Sequence, residues 1–400
     1  MRTGPSAEDF GFNPADPTFI ADPYGCYLQM QDASTHLWSQ GLQMWLVPRF
    51  DDCNRLLRSP SLARIFPRRE PADRWDVFNW LNEQAMLDTE GDTHARMRRL
   101  LSPQFTRVGL KGIEQSVDQV CADLMDDVDR DLREVGSFDL VQRIAEQLPV
   151  RVVCSLLGIP ARDQAQAHDW SLAMVRLFEY SRSPADDERG LAGAEAFAAY
   201  IRDLMQAGDD LSTAMLTLTS AVDDGTLNER EAVANAILLF NGGTGATINA
   251  LGNGLALLLA DETLKDAVIQ ERAWEQAVEE FLRYEAPLQL FERQVVNDAE
   301  PLELAGVEVG DRIGLLLGAA NRDPRRYVDA HQFDPLRPVQ PHLSFSAGTH
   351  FCLGAPLARM ELKKMLEHLL TALPGLRLSE APVPERTYVV RGHQRIQVSV

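Results

Sequence analysis

The most informative part of the chain is residues 345–356, which read FSAGTHFCLGAP. Cys352 stands between two glycines in a tight loop, and Pro356 suits the first turn of a helix that follows. Free backbone N–H groups at a helix start lower the pKa of a thiol and can donate hydrogen bonds to its sulfur. The glycines leave room for a flat, bulky group beside the backbone. The sequence therefore predicts that Cys352 is a thiolate that ligates a metal.

This stretch resembles the haem-binding loop of the cytochrome P450 family, whose pattern is Phe-x-x-Gly-x-His-x-Cys-x-Gly. All the fixed positions are present, at Phe345, Gly348, His350, Cys352 and Gly354. The resemblance implies haem b as the cofactor, with Cys352 as the axial thiolate ligand whose electron push favours O–O cleavage. It also implies a mainly α fold with a smaller β region. A triangular helical body then holds the haem between a long central helix and the cysteine loop.

Two further motifs extend the resemblance over nearly the whole chain. Glu280 and Arg283 match the family's Glu-x-x-Arg motif and share one helical face. Arg337 resembles the third member of that buried triad, which ties the coil before the cysteine loop to the helix. A buried Glu with two Arg is a costly arrangement that needs nearly complete hydrogen bonding.

The two haem propionates require basic partners. His94 and Arg98, four residues apart on one predicted helix, resemble the family's His-x-x-x-Arg clamp. The positions of Arg293 and His350 resemble further propionate contacts. The resemblance thus assigns these four side chains to cofactor binding.

The segment Asn228–Leu259 resembles the central helix that crosses the distal face of the haem. The usual pattern is (Ala/Gly)-Gly-x-(Asp/Glu)-Thr-Thr, whereas residues 242–247 read GGTGAT. Alignment puts Gly245 at the acid position and Ala246 at the first threonine position, so the acid–alcohol pair that relays protons is absent. Three glycines in four residues also weaken a helix, and we expect a kink or widened turn near positions 241–245.

The missing pair leaves several interpretations of the chemistry open. Substrate or ordered water supplies the relay, with Thr244 or Thr247 helping, or Thr247 simply compensates in an ordinary monooxygenase. Alternatively hydrogen peroxide is the oxidant, or the reaction is unusual, such as aryl or C–C coupling, ring formation or nitration. A non-catalytic haem binder or gas sensor is a further alternative. Without haem, Cys352 is a nucleophile with a nearby His, or a zinc ligand together with His350, although no second ligand pair has suitable spacing.

The resemblance assigns the substrate pocket to several variable segments, one of which (75–86) is unusually rich in aromatic residues that can stack on an aromatic substrate. The predicted pocket residues are Trp75, Phe78, Trp80, Phe178, Leu239, Asn241, Gly242, Leu288, Leu290, Phe291 and Val390. The substrate is expected to be a small organic molecule, oxidised by hydroxylation or a related reaction of secondary metabolism (EC 1.14) with O2.

Composition places the protein in the cytoplasm. Five cysteines in 400 residues, without close pairs, are no disulfide framework, and residues 1–19 lack the pattern of a signal peptide. With 39 Lys and Arg against 59 Asp and Glu, the net charge of −20 argues against nucleic acid and anionic membrane as partners. The longest apolar stretch, 232–260, carries too many Asn and Thr for a membrane span.

A basic patch on an acidic protein indicates an acidic electron carrier such as a ferredoxin, supplied as a separate protein. The residues expected to form it are Arg96, Arg99, Arg359, Lys363 and Lys364.

Hydrophobic periodicity predicts one mainly helical domain over residues 1–400. The helical body is expected at about 90–286 and 355–373, with a break at Pro149 in the helix 140–157 and two helices over 264–283. The β-containing regions are expected at about 20–60, 288–320 and 384–400. Residues 321–341, rich in Pro, Asp and Arg, are expected to be ordered coil.

Overall fold

The computed structural model describes residues 5–207 and 211–400. Helices dominate and small sheets flank them, which confirms the predicted fold class. The α-helices are α1 (Pro17–Ala21), α2 (Tyr24–Ala33), α3 (Phe50–Leu56), α4 (Ala72–Glu83), α5 (Gly91–Leu101), α6 (Leu110–Glu134), α7 (Gln147–Leu157), α8 (Gln164–Arg176), α9 (Pro184–Gln206), α10 (Thr213–Asp223), α11 (Glu229–Leu259), α12 (Glu262–Glu271), α13 (Trp274–Tyr284), α14 (Leu317–Ala320) and α15 (Ala355–Ala372). Single 3-10 turns lie at Ala7–Phe10, Met86–Asp88, Ser102–Phe105, Ala161–Asp163 and Gly348–His350.

The strands form three small sheets. They are β1 (Leu37–Ser39), β2 (Met44–Val47), β3 (Leu62–Ala63), β4 (Ser137–Asp139), β5 (Leu290–Val295), β6 (Arg312–Leu316), β7 (Arg377–Leu378), β8 (Val383–Pro384), β9 (His393–Arg395) and β10 (Gln397–Ser399). The largest sheet has the order β1-β2-β6-β5-β3, in which β2 and β6 run parallel and the other pairs antiparallel. The others are β4-β10-β7 and the pair β8-β9. The sheet containing β5 carries Arg293 toward the cysteine loop.

Helix α11 runs through the middle of the core. Its start is fixed by a capping box, in which the Asn228 side chain accepts from the Glu231 N–H and the Glu231 carboxylate accepts from the Asn228 N–H, each at 2.9 Å. Most of its residues are buried, and α4, α7, α8, α9, α10, α12, α13 and α15 all pack against it. An apolar helix that is covered on nearly every side belongs in a core, as the sequence predicts.

The expected widened turn near 241–245 is wrong, because α11 is unbroken α-helix from Glu229 to Leu259. One of the three glycines, Gly243, packs closely against a neighbouring helix. A Cβ on Gly243 would lie 2.6 Å from Cγ2 of Val153 in α7. Tertiary packing of this kind supplies the stability that three glycines remove. The Thr244 hydroxyl also donates to the Phe240 carbonyl at 2.9 Å, within the same turn.

The expected break at Pro149 is also wrong. Pro149 is the third residue of α7, where its missing N–H is not needed by the helix. The irregularity lies earlier, in a π-helical segment at Val141–Ala145. Helix α7 ends at Gly158, whose φ of 73° closes it as the sequence indicates.

None of the helices within residues 5–207 and 211–400 has the length and apolar composition that crossing a membrane demands.

Candidate active site

Backbone contacts fix the conformation of the cysteine loop. Cys352 lies between the 3-10 turn Gly348–His350 and α15, and its N–H donates to the Phe345 carbonyl at 2.9 Å. Gly348 has φ 72°, and a Cβ there would lie 2.5 Å from the Leu57 carbonyl oxygen. Only glycine fits this position, because both the left-handed backbone and the close approach exclude a side chain.

The surroundings of Cys352 act on the pKa of its thiol in opposite directions. Burial raises the pKa of this thiol above its usual value, and the hydrogen bonds from the backbone N–H groups of Gly354 and Ala355 and the charges of Arg98 and Arg359 offset only part of that rise. The backbone N–H donors at Gly354 and Ala355 are suited to a thiolate that a metal ion stabilises further.

The four predicted propionate contacts lie together. The rings of His94 and His350 are 4.4 Å apart between centroids. Burial, followed by the charges of His350 and Arg98, lowers the pKa of His94 to about 4, and Arg293 contributes in the same direction. Arg98 donates to the Phe351 carbonyl at 2.8 Å, which ties α5 to the cysteine loop. The ring contact and the charge interactions therefore place these four side chains in one cluster.

Arg293 is the unsatisfied member of this cluster. It is 4% exposed, yet its Nη2 has no hydrogen-bond partner among the described residues. Burial and the neighbouring Arg64 lower its pKa to about 9. A buried guanidinium nitrogen without an acceptor is costly, so this site is built for an anionic group that comes with a ligand.

Glu90, which sequence reasoning missed, organises the cluster. Its Oε1 lies 3.0 Å from His350 Nε2 and accepts from the Arg64 N–H at 2.6 Å. Burial raises the pKa of Glu90, but the hydrogen bonds from His350 and Arg64 outweigh it and lower the pKa overall. Glu90 directly precedes α5, so in the sequence it is indistinguishable from an ordinary acidic residue at a helix start.

Glu280 and Arg283 of the triad are buried, Arg337 is half-buried, and all three are hydrogen-bonded. Arg283 donates to both carboxylate oxygens of Glu280 at 2.7 Å, and the Arg337 guanidinium lies 3.3 Å from the same carboxylate. The Asp334 N–H donates to Glu280 at 2.9 Å. Arg283 also donates to the carbonyl of Asn321 at 2.9 Å. The triad thus fastens α13 to the coil of 321–341, which runs into the cysteine loop.

One face of α11 is open although the helix is otherwise buried. By the 100° helical step, Leu238, Asn241, Gly242, Gly245, Ala246 and Asn249 share this face, and all are half-buried or exposed. A Cβ added to Gly242 or Gly245 would have no neighbour within 4 Å. We call these six residues the open face; it borders free space in the interior.

The structure places Thr244 and Thr247 away from the open face. Thr244 is 1% exposed and bonded to Phe240, and Thr247 is 5% exposed. Helical geometry turns both threonines toward the packed side of α11, and their help in proton transfer stays a prediction. Gly245 and Ala246 do line the open face, as expected, but bring no ionisable group.

Several predicted pocket aromatics pack against one another instead. Phe78 is 0% exposed, and its ring lies 5.5–5.8 Å from those of Phe66, Trp75 and Phe178. The expectation that Phe78 stacks on a substrate is wrong, since no part of it is accessible. Trp75 and Trp80 are also nearly covered, at 4% and 7%, and Phe178 is half-buried.

The remaining pocket residues divide between two regions. Leu239, Asn241 and Gly242 lie along the accessible part of α11, and Leu288 forms an isolated bridge with Val390. Leu290 packs with buried aromatic residues from the N-terminal part of the chain. Phe291 is 8% exposed, and the Arg293 guanidinium carbon lies over its ring, 4.3 Å from the ring centroid.

The predicted basic patch is largely neutralised. Ion pairs join Arg96 to Glu231, Arg359 to Glu279 and Lys364 to Asp118, at 2.6, 2.5 and 2.6 Å. Of the predicted set, Arg99 and Lys363 are exposed and have no ion pair within the part of the chain that the structure describes. No group of three or more His, Cys, Asp or Glu side chains within that part is arranged around a common metal position, so the zinc alternative has no ligand set.

Known proteins share this architecture over nearly its full length. The family model described as "Cytochrome P450" matches residues 201–374. 6-Deoxyerythronolide B hydroxylase of Saccharopolyspora erythraea is 31% identical, with 95% of this chain and 96% of the relative aligned. The monooxygenase PikC of Streptomyces venezuelae is 31% identical over 91% of this chain and 87% of its own length. The crystal structure of P450BioI with an acyl carrier protein superimposes with a TM-score of 0.88 at 26% identity, covering 96% of this chain and all of that one.

Proposed function

The chain belongs to the cytochrome P450 family of monooxygenases, and we propose that it holds haem b with Cys352 as the axial ligand and oxidises a small organic molecule of secondary metabolism. The unpaired Arg293 Nη2 carries this proposal, because it is a buried donor that has no hydrogen-bond acceptor among the described residues. Two propionates meet that need beside His94, Arg98 and His350. The relatives named 6-deoxyerythronolide B hydroxylase and mycinamicin IV hydroxylase/epoxidase support the substrate class.

When bound, haem supplies the oxidising chemistry, and the described residues prepare its site. The N–H groups of Gly354 and Ala355 donate to the Cys352 sulfur and hold its negative charge. The Glu280 triad keeps the coil before this loop in place through Arg283 and Arg337. These residues hold the cysteine loop in place and do not themselves carry out the reaction.

Proton supply separates this protein from the usual family pattern. The hydrogen-bonding side chains on the open face are the carboxamides of Asn241 and Asn249, which do not ionise. Protons must therefore come through water or from the substrate itself. With an O2-dependent reaction, the electrons come from a separate ferredoxin-type donor that docks near Arg99 and Lys363, the two members of the predicted basic patch that are exposed and have no ion pair within the described residues.

A second candidate is oxidation driven by hydrogen peroxide. The absence of any acid or hydroxyl on the open face within the described residues favours it, because peroxide already brings its protons. Product formation with ferredoxin and its reductase, compared with product formation with peroxide alone, separates the two.

The carbon monoxide difference spectrum of the reduced protein tests the haem–thiolate proposal. We expect an absorption band near that of the family in the wild type and its loss in Cys352→Ala. Cys121→Ala, which removes a buried thiol on α6, is the matched control and should keep the band. An unchanged spectrum in Cys352→Ala would overturn the proposal.

A further inference from the structure

The connection between α8 and α9, residues 177–183, packs with the beginning of α4. The two segments share a small apolar cluster that is separate from the main core and consists of Phe66, Trp75, Phe78, Leu177 and Leu191. Trp80, further along α4, already packs in the main core. We call residues 66–79 together with 177–183 the flap. Because the apolar cluster of the flap is small, the flap can open locally at a lower free-energy cost than the main core.

Glu179 joins the flap to the C-terminal loop, residues 385–392, which lies between β8 and β9. Its carboxylate accepts from three consecutive N–H groups, those of Tyr388 and Val389 at Oε2 (2.8 and 3.0 Å) and that of Val390 at Oε1 (3.0 Å). Glu179 is 2% exposed. Burial raises the pKa of its carboxyl group, and the three N–H donors offset part of that rise. Three charge-assisted hydrogen bonds make this a strong contact between the two segments.

Other hydrogen bonds between the connection and distant parts of the chain are few. The Tyr180 O–H donates to Oε1 of Glu292 in β5 at 2.7 Å, and the Ser181 O–H donates to the Arg386 carbonyl at 3.4 Å. Within the part of the chain that the structure describes, no backbone–backbone hydrogen bond joins residues 177–183 to the C-terminal loop. Glu179 therefore makes most of the hydrogen bonds that fasten the flap on this side.

The C-terminal loop also contacts the open face of α11. A Cβ on Gly392 would overlap the side chain of Asn249, so this part of the loop lies against the open face. Further along the loop, the Gln289 N–H donates to the Val389 carbonyl at 3.0 Å, and Val390 forms its bridge with Leu288. The contact of Glu179 with this loop therefore fixes the flap beside the free space that the open face borders.

We propose that Glu179 latches the flap to the C-terminal loop, and that the flap opens as one unit when these hydrogen bonds break and so admits a ligand to the space beside the open face. The entry of a ligand rests on the proposed function, whereas the opening itself does not. Glu179 is a positioning residue, because it acts on the rate of entry and takes no part in the oxidation.

Hydrogen–deuterium exchange of the haem-loaded protein tests the latch. Glu179→Gln replaces one acceptor oxygen by an N–H2 donor, so peptides that contain residues 388–390 should exchange about tenfold faster than in the wild type. Peptides from residues 72–79 of α4 should also exchange faster, because the flap opens as a unit. Peptides from residues 117–128 of α6, which lie in the main core, should be unchanged and show that the fold is intact.

Ligand-binding kinetics test the entry step. 1-Phenylimidazole binds haem iron through its free nitrogen and shifts the absorption, which stopped-flow mixing follows. Glu179→Gln should raise the association and dissociation rate constants by the same factor, about fivefold, while Kd stays within about twofold. Tyr180→Phe, which removes the bond to Glu292, should raise both rate constants by a smaller factor. The matched control is Glu195→Gln at an exposed position of α9, and it should leave both unchanged.

The proposal is overturned if Glu179→Gln leaves the exchange of 388–390 unchanged, if 72–79 keeps its protection while 388–390 loses it, or if the association rate constant does not rise. Should Glu179→Gln also expose 117–128, Tyr180→Phe carries the same test in a protein with an intact core. Failure of the haem assignment gives a different result, because 1-phenylimidazole then produces no spectral shift in the wild type while the exchange measurements remain valid.

Discussion

Gly254 of α11 lies directly against the ring of Phe281 in α13, so closely that a Cβ on Gly254 would overlap that ring. Phe281 is 0% exposed and directly follows Glu280 of the buried triad. The contact therefore sets the distance between the central helix and the helix that anchors the cysteine loop. Gly254 lowers the helix propensity of α11, but this packing requires a glycine at that position.

Gly254→Ala should destabilise the protein by about 1–3 kcal/mol, because the added methyl forces α11 and α13 apart. Denaturant unfolding, followed by far-ultraviolet circular dichroism, measures the change. The matched control is Gly112→Ala on α6, where an added Cβ has no neighbour within 4 Å. The control should gain about 0.5–1 kcal/mol from helix propensity. Equal stability of Gly254→Ala and the wild type would contradict the packing argument.

Glu280→Gln should cost about 3–5 kcal/mol of unfolding free energy, because it leaves the charge of Arg283 buried without compensation. The variant should also lose haem faster on dilution, since the coil before the cysteine loop is released. Glu188→Gln serves as the control, as its ion pair with Arg74 is exposed. Its loss should be below about 1 kcal/mol. Comparable losses in the two variants would show that the triad is not a special anchor.

Glu146→Gln should stabilise the protein at pH 8 and have little effect near pH 4.5. Burial, with the charges of Asp139 and Glu385, raises the pKa of Glu146 from 4.5 to about 7. The folded state therefore keeps a proton that the unfolded chain has lost, and the contribution of Glu146 to wild-type stability falls as pH rises from 4.5 through 7. Allowing for partial exposure, the gain at pH 8 is about 1–2 kcal/mol. Unfolding curves at both pH values test this, and a pH-independent difference would refute it.

Lys363→Glu should slow reduction by an acidic [2Fe–2S] ferredoxin several-fold at low ionic strength, with the effect disappearing at high salt. Lys363 is exposed and free of ion pairs within the described residues, whereas Arg359 is already paired with Glu279. Stopped-flow absorbance gives the rate. Arg162→Glu, which changes an exposed charge between α7 and α8, is the control. Equal slowing by both variants would place the docking surface elsewhere.

Patterns with fixed spacing carried most of what the sequence predicted correctly. The cysteine loop and the Glu-x-x-Arg pair are local, so their residues identify them before any packing is known. The long helix α11 also follows from its capping residue and apolar run. The regularity of α11 does not follow from the sequence. The low helix propensity of its three glycines is outweighed by contacts such as that of Gly243 with Val153, which lies 90 positions away.

Other parts of the site depend on long-range contacts that no local pattern reveals. Arg96 pairs with Glu231, 135 positions away, and the local sequence does not show that its charge is neutralised. The aromatic residues around Phe78 have the same composition whether they line a pocket or pack together. The orientation of Thr244 and Thr247 is fixed only when the packed side of α11 is known.

The open face of α11 has a consequence for fidelity. Because its glycines and carboxamides carry no ionisable group, the proposed oxidation would depend on water or on the substrate for protons. Under the proposed function, a compound that fits this space poorly would interrupt that supply, and reducing equivalents would be lost without product.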